Sequence, residues 1–161
     1  MTHPTPGSIR HFEALSPGES ARLGSIQVTR EMIIAFATRF DPLPFHLDEE
    51  AARKSLLGGL AASGWQTGAL SLRLLHEGPL ANIAGLRIGA VNALKWRKPV
   101  LVDDRITGTA TILALRPEHA NPRSGIVVFG LDITNQHGDS VMTLELDVVV
   151  ARAAEPLGDA A

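Results

Sequence analysis

Hydrophobic and polar positions change their period near residue 85, and that change divides the chain into two kinds of structure. Before it, weak alternation at Ala21, Leu23, Ile26 and Val28 predicts a first strand over 19–28. Met32, Ile33, Phe36, Ala37 and Phe40 then recur at helical spacing, so a helix with one inward face is expected here. Thr29 is its N-cap candidate, and Glu31 stands in the first turn, where negative charge meets the positive end of the helix dipole. Asp48 can cap a second, short helix over 49–54. After the small-residue run Gly58-Gly59-Leu60-Ala61-Ala62-Ser63-Gly64, residues 62–76 read as a long, weakly charged helix. Trp65, Ala69, Leu72 and His76 mark one of its faces, and Gly78-Pro79 stops it.

Beyond residue 85 the period is two. Residues 88–96 lead into Lys98-Pro99-Val100, a strand that ends or bulges at the proline. Ile106, Ala110 and Ile112 alternate with threonines, and Val127, Phe129, Leu131 and Ile133 form a further inward face. The turn at Asn135-Gln136-His137-Gly138-Asp139 precedes a last alternating series, Met142, Leu144, Leu146, Val148 and Val150. Helices first and long strands in succession afterwards predict an α+β domain, an antiparallel sheet curled around one central helix. Such a sheet has an edge that invites pairing, so a homodimer or a higher oligomer built from dimers is expected.

Composition narrows the function classes. The 161 residues suit one domain, here 9–152, between tails expected to be flexible at 1–8 and 153–161. A net charge of −2 without a Lys/Arg run argues against nucleic acid as a partner. No cysteine is present, so disulfides, thiolate metal sites and Cys nucleophiles are excluded. No apolar run approaches the roughly 20 residues of a membrane span. The polar N-terminus lacks the apolar core of a signal peptide, and a cytoplasmic protein is expected.

Candidate chemistry concentrates in Asp41-Pro42-Leu43-Pro44-Phe45-His46-Leu47-Asp48. The two prolines restrict the residues before them and stiffen the loop, which holds a carboxylate and an imidazole within reach of each other. That pair suits proton transfer to or from a water. The plainer alternative is a turn in which Asp41 caps backbone N–H groups and His46 is solvated. His46-Leu47-Asp48 also spells part of a non-haem iron facial triad, with His119 or His137 as third ligand, although helix-first order contradicts the usual scaffold of such oxygenases. Gly64, at a helix start, can expose a backbone N–H or serve helix packing. Phe45, Ser63 and Trp65 flank these residues as candidate substrate contacts; Ser63 is equally an N-cap and lacks the Gly-x-Ser-x-Gly elbow of a nucleophile. For Trp65 a core position is the commoner expectation.

This stretch resembles the MaoC-like dehydratase and (R)-specific enoyl-CoA hydratase family. In that family Asp-x-Asn-Pro-x-His-x-Asp precedes a small-residue segment ending in Gly at a long helix. Asp41, Pro44, His46 and Asp48 stand in the motif positions, and Gly64 follows at the family's spacing. Leu43 replaces the family's Asn, Ser63 the His that commonly precedes the Gly, and Asp103 the Gly of Pro-Val-x-x-Gly-Asp at Pro99–Asp104. The resemblance implies a hot-dog fold, a homodimer and hydration or dehydration of a 2-enoyl-CoA thioester. Asp41 would be the base on water, His46 its partner, and Gly64 the donor to the thioester oxygen. Acyl-CoA enters as substrate; no separate cofactor and no metal is expected. Two rivals share the fold, a thioesterase and a non-catalytic domain that binds acyl thioesters.

Overall fold

A computed structural model describes residues 8–154, so the expected tails lie outside the described residues apart from Ser8, Ala153 and Ala154. In chain order the elements are β1 (Ser20–Arg22), β2 (Ile26–Gln27), α1 (Arg30–Phe40), α2 (Pro44–Leu47), α3 (Glu49–Arg53) and α4 (Gly64–Glu77). The strands β3 (Gly85–Trp96), β4 (Arg105–Pro117), β5 (Ser124–Thr134) and β6 (Ser140–Ala151) follow. Every strand pairing is antiparallel, in the order β1-β4-β5-β6-β3, with β2 also on β4.

The period-two pattern builds this sheet directly. Val127, Phe129, Leu131 and Ile133 of β5 and Met142, Leu144, Leu146, Val148 and Val150 of β6 all turn to one face and are buried. Against them pack Leu74 and Leu75 of α4 and Ile33 of α1 in a single core. Burying each such side chain contributes about 1.5–3 kcal/mol, so the sheet's inner face is the main source of stability. At about 1.5 Å per residue α4 runs roughly 21 Å along the concave side of the sheet. This is the hot-dog fold, with the α+β order the hydrophobic pattern predicts.

Three expectations are corrected. The strand over 19–28 is two short strands, both paired with β4 and interrupted at Leu23-Gly24-Ser25, although Leu23 is buried in the core and its N–H still bonds Gly108 O of β4 at 2.9 Å. The loop after α1 contains a helical turn of its own, α2, with Pro44 at its start, where a missing N–H costs nothing. The third concerns α4. Its buried residues are Gln66, Thr67, Ser71, Leu74 and Leu75, so the face carrying Trp65, Ala69 and His76 points outward, with Leu72 half-buried. Trp65 is 63% exposed and is no core residue. The local pattern marked the face of Trp65, Ala69, Leu72 and His76, but the polar residues Gln66, Thr67 and Ser71 took the inner face by bonding backbone carbonyls. Among the described residues no helix is long and apolar enough to cross a membrane.

Candidate active site

Asp41 is the residue at which α1 stops. Its N–H still bonds Ala37 O at 3.0 Å, but its backbone is no longer helical (φ −153°, ψ 69°), and Pro42 prevents the helix from continuing. Leu43 N–H turns back to Asp41 O at 2.8 Å, and α2 begins immediately. Two tight turns in succession therefore bring His46 back towards Asp41. The carboxylate Oδ2 and the imidazole Nε2 lie 3.5 Å apart, with the His46 side chain 7% and the Asp41 side chain 25% exposed.

The second half of the site is carried by residues 60–64. Ala62 N–H bonds Val100 O at 2.8 Å, Val102 N–H bonds Leu60 O at 2.9 Å, and Ala61 pairs with Leu101 in an antiparallel bridge. This short ladder aims the start of α4 at Asp41 and His46. Ala61 O receives His46 Nδ1 at 2.7 Å. A carbonyl only accepts, so Nδ1 carries hydrogen and Nε2 is the nitrogen turned towards Asp41. Ser63 is fully buried; its hydroxyl donates to Asp41 Oδ2 at 2.7 Å and accepts from Trp65 N–H at 3.2 Å as the α4 N-cap. Ser63 thus stands behind the carboxylate and not on the cleft surface, which removes it from the expected substrate contacts. The Gly64 N–H, the first of α4, has no acceptor among the described residues.

A cleft of about 430 Å³ opens in front of these groups, lined by Asp41, Phe45, His46, Gly64 and Trp65 among others. Its buried end consists of Ala62, Thr67, Val100 and Val141, and its exposed rim of Trp65, Trp96, Arg97, Lys98 and Pro99. Phe45 stands edge-on to His46, with ring centroids 4.6 Å apart. At the rim Lys98 Nζ meets Asp139 at 2.9 Å, and the hydrogen bond from Lys98 holds the Asp139 carboxyl below the usual range. Catalytic candidates from two separate stretches, Asp41 and His46 from one and Gly64 from the other, thus face one space. Asp48, by contrast, uses its carboxylate to cap α3 through Ala51 N–H at 2.8 Å. Among the described residues no three His, Asp or Glu side chains gather as metal ligands, and the facial-triad alternative has no geometry to rest on.

Comparison with known proteins matches residues 13–127 to the family described as MaoC like domain. The chain belongs to this MaoC-like family. A crystal structure of a MaoC-like dehydratase from Rhodospirillum rubrum is 40% identical, with a TM-score of 0.82, over 91% of this chain and 99% of that one. The chain is also 34% identical to the uncharacterised protein YdeM of Bacillus subtilis, over 84% of its own length and 94% of that protein's. An (R)-specific enoyl-CoA hydratase of R. rubrum is 26% identical over 68% of this chain and 74% of that one.

Set against the family pattern, the three departures have distinct physical consequences. Leu43 occupies the N-cap of α2, makes no side-chain cap bond and is 45% exposed. Ser63 supplies the donor to Asp41 described above. Asp103, in place of glycine, adopts φ 68°, the left-handed region, as the only non-glycine residue among those described to do so. Trp96 was not singled out in the sequence as a site residue, and nothing in the local pattern flags it; it lies 32 positions from Gly64 and meets it through the fold alone.

Proposed function

We propose that this MaoC-like protein adds water across the double bond of a 2-enoyl-CoA thioester, or removes it in the reverse direction. The observation that carries the reading is the convergence of Asp41, His46 and the unpaired N–H of Gly64 on one cleft. The likeness to an (R)-specific enoyl-CoA hydratase supports the substrate class.

In hydration, a water held between the Asp41 carboxylate and His46 Nε2 attacks Cβ. Asp41, whose Oδ2 already accepts from Ser63, takes the proton through its remaining lone pairs. The electron pair of the double bond moves towards the thioester, and negative charge collects on its oxygen. The Gly64 N–H at the positive end of α4 stabilises that oxygen; such a donor lowers the barrier by about 3–4 kcal/mol in other enzymes. A proton delivered to Cα from the Asp41–His46 pair then completes a 3-hydroxyacyl thioester, so that one water is consumed and the pair regains its starting state.

Loss of the ultraviolet absorbance of a crotonyl-CoA thioester, followed beside a free-thiol assay, tests the reading. Absorbance lost without thiol release is the expected result. Thiol release would make the protein a thioesterase, and neither signal would leave a domain that only binds thioesters.

We also propose a homodimer joined through β3. Strand β3 pairs on one side only, and Leu86, Val91 and Trp96 on it are 59%, 59% and 47% exposed. The outward face of α4, with Trp65, adjoins the same side through the Trp65–Trp96 contact. An open edge with adjacent apolar surface suits a second copy of the chain. Light scattering at micromolar concentration is expected to give twice the mass of the 17.1 kDa chain.

A further inference from the structure

Gly64 packs against the sheet, the helix-packing alternative for this position, and its partner there is Trp96 of β3. A Cβ built there would lie 2.6 Å from both Cε2 and Nε1 of Trp96, nearer than side-chain atoms approach one another. The space beside Gly64 is therefore filled by an indole, not left open for substrate. The same indole donates from Nε1 to Gly64 O at 2.8 Å. The other end of that peptide, Trp65 N–H, is held by Ser63 Oγ at 3.2 Å. The first peptide plane of α4 is thus clamped at both ends, one end by the N-cap and the other by the last residue of β3. Thr67 N–H bonds Ser63 O at 3.0 Å, so the carbonyl of the preceding peptide, the one that carries the Gly64 N–H, is held as well. Trp65 closes the arrangement edge-on to Trp96, with centroids 5.2 Å apart and an interplanar angle of 79°.

We infer that Trp96 is a positioning residue for the thioester site: it holds the Gly64 peptide so that the free Gly64 N–H stays aimed into the cleft. The inference rests on the hydratase reading for the identity of the oxygen bound there. Its physical basis is that a preorganised donor stabilises developing charge without reorganising, whereas a donor free to rock loses that advantage. Charge on the thioester oxygen is greatest in the transition state, so loosening the donor lowers kcat and leaves KM nearly unchanged.

Trp96→Phe removes the N–H and keeps a ring in place; a fall in kcat of about 10-fold with KM changed less than about twofold is expected for a slightly misaimed group. A defect of general packing would instead lower the melting temperature and leave the kinetics of the folded fraction intact. Steric exclusion gives a second, independent arm. Gly64→Ala alone meets the indole, and adding Trp96→Ala clears the space, so the double variant should bind butyryl-CoA, which has no double bond to hydrate, more tightly than Gly64→Ala alone. Fluorescence supplies a third arm, because the chain has two tryptophans and no tyrosine. In Trp65→Phe protein, Trp96 is the sole indole, and butyryl-CoA is expected to shift its emission. Wild-type kinetics in Trp96→Phe would overturn the inference, as would the absence of relief in the double variant. If the wild-type protein hydrates no enoyl thioester, the hydratase reading fails. The butyryl-CoA binding and emission arms then decide on Trp96 by themselves.

Discussion

The two walls of the cleft are built differently. The inner wall, Asp41, His46 and Ala62 backed by Ser63 and the rest of the 60–62 segment, is assembled from buried and part-buried groups whose polar atoms are bonded to one another or to backbone. The outer wall, Trp65, Trp96 and Arg97, comes from the exposed face of α4 and the end of the open-edged strand β3. Strand β3 is as long as β6, 12 residues each, yet β6 is buried along nearly its whole length and β3 is almost entirely exposed. Its ladder to β6 also shifts register in three places. A wall whose polar groups are mutually satisfied holds one geometry; a wall on an exposed edge takes its final environment from what covers it. Chemistry should therefore depend most on the inner wall and assembly on the outer one, whose Trp96 adds its hold on the Gly64 carbonyl.

The largest expected effect lies on the inner wall. Asp41→Asn keeps an acceptor for Ser63 but removes the base, and turnover on a crotonyl thioester should fall by roughly 10²–10⁴-fold. The melting temperature should hardly move. His46→Ala should cost a similar factor, and the double variant little more, because both groups act on one water. Additive losses in that cycle would break the assignment of the two residues to one unit.

Next is Ser63→Ala, which removes a helix cap and the donor to Asp41 Oδ2 in one step. Loss of the cap costs about 0.5–2 kcal/mol of stability, measurable by urea unfolding. Turnover should fall as well, and Ser63→Thr, which keeps the hydroxyl, should recover part of it. An unchanged turnover in Ser63→Ala would show that Asp41 needs no support from behind.

On the outer wall, Val91→Lys places a charge on the exposed apolar side of β3. The stability of the single chain should change by no more than about 0.5 kcal/mol, as at most surface sites. The mass in solution should fall towards that of one chain. A dimer that survives this substitution would place the interface elsewhere.

The smallest effect concerns the turn that pins the inner wall. Asp103 sits at φ 68° beside Val102, whose N–H holds Leu60 O. Relieving the left-handed strain with Asp103→Gly should stabilise the protein by about 0.5–1 kcal/mol, partly offset by the freedom glycine has when unfolded. Thermal unfolding at fixed protein concentration measures it; destabilisation would mean that the Asp103 side chain makes a contribution of its own.

Legibility followed locality. Thr29 is the N-cap of α1, accepting from Met32 N–H at 3.3 Å, and Asp48 caps α3, both as the local pattern predicts. The inward sets of β5 and β6 are also those of the alternation. Asp41 and His46 were legible as a pair because only four residues, two of them prolines, separate them, too short and stiff a path to hide their neighbours. The two faces of α4 were not legible, because Trp65, Ala69 and Leu72 are as apolar as anything on the inner face. Which apolar face turns inward is settled by polar partners elsewhere in the chain, as when Gln66 Nε2 reaches Met32 O at 2.9 Å.

The sequence by itself thus determined the elements, their order, and the stiff loop with its carboxylate and imidazole, since these follow from periodicity and from the restricted backbone of proline. Tertiary structure alone decided that Ser63 stands behind Asp41, that His46 Nδ1 is committed to Ala61 O, and that an indole fills the space beside Gly64. The physical reason is that each of these joins residues 15 to 32 positions apart, and contacts of that range depend on how elements pack and not on any pattern within one of them.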